Sequence, residues 1–487
     1  MKICYAVSEV VPYSKTGGLG DVAGALPHEL HRLGQDVRIV APLHVLPGSA
    51  TPRELSDVEA VQNVEVPLDG RAYTFSLRAA DAEGRRGAPV LLVDCPALFQ
   101  RPQLYTSAPD EPLRFALLCR AVFESCQRLS WAPDVIHCND WHTALIPLLR
   151  DTVYGWDALF RPTRTLLTIH NLGYQGVFPA ATIERLGLGA WAASFDERDR
   201  VAGRINLLRT AVRHADAVST VSPTYAREIL GPELGMGLDA DLRARPDPVA
   251  GILNGVDYAV WSPEADRHLP ACYSAADLAG KRENKRALLE LLGLDPAPDA
   301  PLAGIVTRLV EQKGLDLCVS VLPDLLEATD LRLVVLGQGQ ARYEDFFRTL
   351  ARRDGRRVAF RLGQDETLAH RIEAGSDMFL MPSRYEPCGL NQLFSLRYGT
   401  VPVVRKTGGL ADSVQPYDPV SDTGTGFVFE HFTPEGLRWA LGLALATFGD
   451  GPRWRRLVAR AMAEDFSWAR QARRYVELYE RIVPARG

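Results

Sequence analysis

A chain of 487 residues is too long for one hydrophobic core and divides into two or three domains of ordinary size. With 46% hydrophobic residues, 24% charged residues and a formal charge of -5, it has the make-up of a globular protein without the basic field that a nucleic-acid backbone needs. No apolar stretch approaches the length that spans a bilayer, so neither nucleic acid nor membrane is an expected partner.

The chain enters a strand almost at once, at Lys2 to Val7, with no basic leader or small-residue cleavage site, and a cytoplasmic address follows by elimination. Eight cysteines at no repeating spacing read as reduced, mostly buried thiols. Short apolar runs rich in Val, Ile and Leu then alternate with longer amphipathic stretches. The runs Asp36 to Ala41, Val90 to Val93, Asp134 to His137, Arg164 to Ile169 and Ala217 to Val221 predict strands, with helices such as Leu113 to Leu129 and Ile205 to His214 between them. This alternation predicts parallel sheets covered by helices on both faces.

Arg243 to Pro248 interrupts the pattern with two prolines and charge. A second series follows, with strands at Leu302 to Thr307, Leu331 to Leu336, Val358 to Phe360, Met378 to Met381 and Val401 to Val404. The expected organisation is therefore α/β, with two doubly wound domains at 1–248 and 249–467, and a C-terminal helical segment at about 468–487 that could pack back on the first domain.

In such sheets ligands bind beyond the carboxyl ends of the strands, which directs attention to the loops there. The pentapeptide Lys-Thr-Gly-Gly-Leu occurs twice, at Lys15 to Leu19 and Lys406 to Leu410, each with an Asp two residues on, Asp21 and Asp412. Each copy joins a strand-like run to a helix-like run, where glycines admit a ligand to the backbone and a helix start offers N–H donors to an anion. It is not a Walker loop, because the Lys precedes the glycines. A tight turn capping a helix is the plainer reading of one copy, and repetition weakens it.

His137 to His142 and Thr168 to Tyr174 place three histidines and a cysteine at strand ends, but their spacing matches no zinc pattern, and no metal or other cofactor is expected. Hydrogen bonding to sugar hydroxyls is the better use for Asp140, Trp141, His170 and Asn171. Arg308 and Lys313, just after a strand, can reach one anion, or else pair with Glu311 or Asp316 on the surface. Ser383 to Leu393 forms a strand-to-helix junction whose amides could hold sugar and phosphate oxygens, although Glu386 also reads as a solvent-facing acid near a helix start. The Asp239-Ala240-Asp241 tripeptide, assigned to a loop, is attributed to chance.

Taken in order, the twin loops, Asp140-Trp141-His142, His170-Asn171, Asn254 to Asp257, Arg308 with Lys313, and Glu386 to Leu390 resemble bacterial glycogen synthases and plant starch synthases. The resemblance implies a glycosyltransferase fold of two Rossmann-like domains facing across a deep cleft, the GT-B fold. It also implies retaining transfer of glucose from ADP-glucose to the non-reducing end of an α-1,4-glucan such as glycogen or a malto-oligosaccharide, with no metal. It places catalytic roles on His170, Arg308, Lys313 and Glu386. Substrate contacts would come from Lys15, Gly18, Asp21, Asp140, Asn171, Asn254, Cys388, Gly389, Leu390, Asn391, Thr407, Gly408 and Gly409. Two positions depart from wider relatives: Phe394 stands where many glycosyltransferases carry a second glutamate, and Gln364 where some place a Tyr against adenine. The rival readings are a UDP-glucose-using glucan synthase, a sugar-nucleotide epimerase on the same fold, and a non-enzymatic sugar-binding protein. Oligomeric state is not readable.

Overall fold

The computed structural model describes residues 1–45, 55–80, 87–297 and 299–483. The chain forms two compact units, one comprising 1–221, 226–255 and 468–487, the other 222–225 and 256–467.

In the first unit the strands are β1 (Lys2–Ala6), β2 (Asp36–Pro42), β3 (Leu55–Asp57), β4 (Val64–Leu68), β5 (Arg71–Ala80), β6 (Val90–Asp94), β7 (Val135–Asn139), β8 (Arg164–Ile169), β9 (Val177–Pro179), β10 (Arg204–Asn206), β11 (Ala217–Thr220) and β12 (Ala250–Gly251). The main sheet runs β12-β11-β8-β7-β1-β2-β6-β5-β3, parallel from β12 to β6, with β5 antiparallel to β6, β3 and β4. Its central strands are buried throughout, as in β7, where helices cover both faces. The run from β3 to β5 is instead half exposed and alternating, as in the buried and exposed residues of β4.

The second unit contains β13 (Leu302–Val306), β14 (Arg332–Gly337), β15 (Val358–Leu362), β16 (Met378–Met381), β17 (Val401–Arg405) and β18 (Phe427–Phe429). They form one parallel sheet in the order β15-β14-β13-β16-β17-β18. In each unit the strand order reverses beside the first strand, between β1 and β7 and between β13 and β16. Such reversals splay neighbouring loops apart at the carboxyl ends and leave a crevice there.

The proline-rich break at Arg243 to Pro248 is a loop inside the first unit. Arg245 ties it down by donating to the carbonyls of Val212, Ala215 and Asp216, and the chain then adds β12 to the sheet edge before leaving after Gly255. The helix Trp468–Ile482 belongs to this unit, and residues 484–487 of the expected C-terminal segment lie outside the described residues. Trp468, Gln471, Ala472, Tyr475, Leu478 and Tyr479 fall on one stripe of that helix, and all but Gln471 join the core around Ile3, Tyr5 and Ile39. The Tyr479 hydroxyl meets Nδ1 of the fully buried His137 at 2.7 Å, and Thr168 Oγ1 meets Nε2 at 2.6 Å. His137 is thus a core residue with both nitrogens satisfied.

Candidate active site

The first unit's crevice begins where β1 ends. Glu9 is 2% exposed, and its carboxyl accepts from the Thr16 amide at 2.6 Å, the Thr16 hydroxyl at 2.9 Å and the Gly20 amide at 3.3 Å. These bonds staple the first Lys-Thr-Gly-Gly loop to the strand end. Burial pushes the Glu9 carboxyl up to about 7, against the pull of the Thr16 and Gly20 donors. Nothing in the apolar run around Glu9 marked it as part of the site. Lys15 is paired with Asp21 at 2.6 Å, both partly exposed, a contact worth at most about 1 kcal/mol that an anion can displace. Gly18 opens the short helix Gly18–Ala23, and a Cβ built on Gly17 would meet nothing within 4 Å.

Across the strand reversal, Asp140 follows β7. It is buried and has a backbone φ of +55°, an uncommon conformation for a residue with a side chain. Its Oδ1 accepts from the His170 amide at 2.7 Å, and the Asn171 amide also donates to the carboxyl. Burial raises Asp140 to about 7, with the charge of Glu9 adding to the rise. The His170 ring is held through Nε2, 2.9 Å from Asn139 Oδ1, an atom that also accepts from Tyr5 Oη. Because Asn139 gives its amide hydrogens to Ala6 O, its Oδ1 acts as acceptor and Nε2 of His170 carries the proton. Burial pushes His170 down to about 3, so near neutral pH the ring is uncharged and Nδ1 is its acceptor nitrogen.

Asn171 Oδ1 closes a turn by accepting from the Gly173 amide at 3.0 Å. Asn254 is buried, and its Oδ1 meets no hydrogen-bond donor among the described residues. Trp141 and His142 are buried against Phe115, and Tyr105 stacks on His142 with centroids 4.7 Å apart. Of the sequence's strand-end histidines, His170 lines the crevice, while His137 and His142 are taken up by packing.

In the second unit, Arg308 is exposed just beyond β13, and Lys313 closes a single 3-10 turn, Glu311–Lys313. Lys313 Nζ donates to both carboxylate oxygens of Glu386, at 2.9 and 2.7 Å, and Ser383 Oγ adds a bond of 2.9 Å. Glu386 is 5% exposed, so its alternative reading as a solvent-facing acid does not hold. Asn391, at the start of the helix Asn391–Tyr398, sends Nδ2 to Val306 O at 2.6 Å and so links the loops after β13 and β16. Gly389 has φ of +72°, Leu390 caps that helix, and Cys388 is buried.

The second pentapeptide is built differently from the first. Thr407 caps the helix Gly408–Ser413, and the Gly409 amide donates to Glu386 O at 3.0 Å and Pro387 O at 3.2 Å. A Cβ on Gly408 would lie 1.9 Å from Glu386 O, and one on Gly409 2.0 Å from Cys388 O. Lys406 pairs with Glu430 at 2.6 Å, and Asp412 accepts from the Thr224 amide and hydroxyl, each at 2.7 Å. Identical sequence thus serves a loop beside open space in one unit and a backbone support beneath Glu386 in the other.

Phe394 stacks on Trp261 with centroids 3.9 Å apart, and Gln364 is exposed at the turn after β15. Asp239 and Asp241, expected in a loop, lie on the helix Asp239–Arg243 and pair with Arg243 and Arg198, a structural use consistent with chance resemblance to a metal clamp.

Two doubly wound sheets, each with polar and glycine-rich loops at the carboxyl ends of its strands, are the architecture of GT-B glycosyltransferases, and comparison with known proteins places the chain in that class. Residues 2–244 match the family model described as starch synthase catalytic domain, and residues 294–447 match glycosyl transferases group 1. The chain is 48% identical to a glycogen synthase of Anaeromyxobacter dehalogenans (strain 2CP-C), over 99% of this chain and all of that one. It is 45% identical to a glycogen synthase of Koribacter versatilis (strain Ellin345), over all of this chain and 99% of the relative. The chain belongs to the glycogen synthase family. Among solved structures, the catalytic domain of starch synthase IV from Arabidopsis thaliana, bound to ADP and acarbose, aligns with a TM-score of 0.91 and 36% identity over 99% of both chains. A sucrose-phosphate synthase from Thermosynechococcus elongatus, 17% identical over 99% of this chain and 98% of its own, shares the fold with a TM-score of 0.61.

Proposed function

We propose that this enzyme transfers glucose from ADP-glucose to the non-reducing end of an α-1,4-glucan, with retention at the anomeric carbon and release of ADP. The observation that carries the reading is that, in each sheet taken by itself, the candidate residues lie in loops at the carboxyl ends of the parallel strands, most of them on the strands that flank the reversal where ligands of doubly wound folds bind. The starch synthase that aligns over 99% of both chains holds ADP and acarbose, a nucleotide and a glucan-like sugar.

The departing diphosphate needs its charge offset without a metal. Lys15, the Gly18 amide, Arg308 and Lys313 supply that charge and those donors. Glu386 accepts from glucose hydroxyls on its remaining lone pairs, oriented by Lys313 and Ser383. Amides of the Cys388 to Asn391 turn, and Thr407 to Gly409 beneath it, hold the sugar and phosphate side. Neutral His170 takes a hydroxyl hydrogen at Nδ1, Asp21 sits close to the donor, and Asp140, Asn171 and Asn254 line the sugar and acceptor side. Asn254, with its buried unmatched Oδ1, is suited to receive a sugar hydroxyl.

In the same reading the acceptor hydroxyl attacks on the face the diphosphate leaves and gives its proton to the departing phosphate oxygen, so that retention proceeds without a covalent glucosyl-enzyme. A cytoplasmic setting belongs to the same reading and accords with eight cysteines that all remain thiols. The test is a donor panel of labelled ADP-glucose and UDP-glucose, with and without glycogen. Glucan-dependent release of ADP and label in polymer are expected. Label entering polymer from neither donor, or full turnover in both Arg308→Ala and Glu386→Ala, overturns the proposal.

A further inference from the structure

Away from the residues assigned to the reaction, the second unit brings together His268, Glu366 and His370, with one nitrogen or oxygen atom of each lying within 4.8 Å of the others. Glu366 and His370 stand four residues apart on the helix Glu366–Gly375 and so share one face. The helix start is fixed by Asp365, whose side chain accepts from the Leu368 amide. His268 comes from the segment before β13, its amide held by Asp266 Oδ1 at 2.8 Å and its carbonyl by Arg371 at 3.1 Å.

Each imidazole is held through Nδ1. His370 Nδ1 meets Asp266 Oδ2 at 2.7 Å, and His268 Nδ1 meets Thr367 Oγ1 at 3.0 Å. His370 is fully buried, stacked under Trp261 with centroids 3.6 Å apart, and its Nε2 has no hydrogen-bond partner among the described residues. A buried ring nitrogen without a partner is costly, and a ring whose other nitrogen is fixed by a carboxylate has the arrangement that metal-binding histidines show.

We infer that His268, Glu366 and His370 form a binding site for a late first-row divalent cation, zinc by preference. Two imidazoles and one carboxylate suit zinc, with water completing a tetrahedral set. Zinc–nitrogen bonds of about 2.0 Å require ligand atoms roughly 3.3 Å apart. Half-buried His268 and exposed Glu366 are able to swing the remaining distance, while His370 is the fixed point. Bound metal ties the segment before β13 to the first turn of the helix after β15, beside the exposed turn that carries Gln364. This inference does not depend on the proposed reaction.

The experiment uses the full untagged chain, freed of metal by chelator, in a Cys272→Ser background that removes the exposed thiol. Cobalt(II) is titrated and followed by its visible ligand-field absorption, then displaced with zinc. One cobalt per chain is expected, with at least tenfold weaker binding in His268→Ala and in Glu366→Gln. Zinc is expected to raise the melting temperature of the parent and leave both variants unmoved. Glu366 is exposed, so the metal-free melting temperature of Glu366→Gln matches the parent and serves as the folding control, whereas His268→Ala also loses the Thr367 hydrogen bond and the contact with the His370 ring. Absence of one-to-one cobalt binding in the parent, or binding unchanged in both variants, overturns the assignment.

Discussion

Gly17 and Gly408 occupy the same place in two identical pentapeptides, yet alanine is expected to destabilise the protein only at Gly408. At Gly408 the new Cβ falls 1.9 Å from the Glu386 carbonyl oxygen, about 1 Å inside the closest approach that real side chains show, and the backbone φ is +43°. Overpacking against backbone costs about 1–3 kcal/mol, and a side chain in the left-handed region adds about 1 kcal/mol. A total of about 3 kcal/mol in a domain of some two hundred residues lowers the melting temperature by about 6–12 °C. The strain falls on the turn that carries Glu386, so turnover falls with stability. At Gly17, φ is −161°, an extended conformation open to any residue, and nothing lies within 4 Å of the new Cβ. Gly17→Ala therefore melts within about 2 °C of the parent, and its effect on activity appears in the donor KM. Calorimetry of the two variants side by side, with donor kinetics, makes the comparison. A Gly408→Ala protein as stable as the parent, or a Gly17→Ala protein that loses as much as Gly408→Ala, would refute the reasoning.

Lys313→Ala takes two hydrogen bonds and the counter-charge from the buried Glu386 carboxylate and is expected to cost about 3 kcal/mol, much of which Glu386→Gln restores in the double variant; urea unfolding of the four proteins measures the coupling. Glu9 is raised from 4.5 to about 7, so the native state keeps a proton that the unfolded chain has released across that window, and its contribution to stability falls as pH rises from about 4.5 to 7. Glu9→Gln removes up to about 3 kcal/mol of that pH dependence, read as a flatter profile of unfolding free energy against pH. Asp140 contributes a slope of the same sign, which remains in the Glu9→Gln variant. Tyr479→Phe takes the hydroxyl from buried His137 Nδ1 and is expected to cost about 1–3 kcal/mol in chemical denaturation, with glucosyl-transfer turnover unchanged at a temperature where the variant is folded.

The sequence read most clearly where burial was complete on both faces. The apolar-rich runs of β7, β8, β13 and β16 could be placed within a residue or two because parallel strands under two helix layers are buried on both faces and admit polar residues only where hydrogen bonds satisfy them, as at His137, Asn139 and Thr168. The β3 to β5 region was not anticipated, since its half-exposed strands alternate and give no continuous apolar run; the signal that marks it is Asp69-Gly70, the two-residue turn that joins β4 to β5. Glycine-rich loops announced the crevices, but their partners did not announce themselves: Glu9 sits in an apolar run, and its role appears only when Thr16 and Gly20 fold back on it. The repeated pentapeptide overstated the likeness of its two copies, because the contacts of Lys406 and Asp412 come from Glu430 and Thr224, far outside the motif. The inferred cation site has no signature in the sequence for a related reason, as His268 lies nearly one hundred residues before Glu366.

The helix Trp468–Ile482 has a consequence for biosynthesis. The ribosome makes the second unit in one nearly unbroken stretch and finishes it before the first unit has all its parts. Until the final helix emerges, nascent residues around Ile3 and Tyr5 lack the cover of Trp468 and Tyr475, and His137 waits for a hydroxyl encoded 342 positions downstream. The half of the chain that is translated first is therefore the half that completes its folding last, and a ribosome stalled before Trp468 releases a protein with one finished domain and one open core.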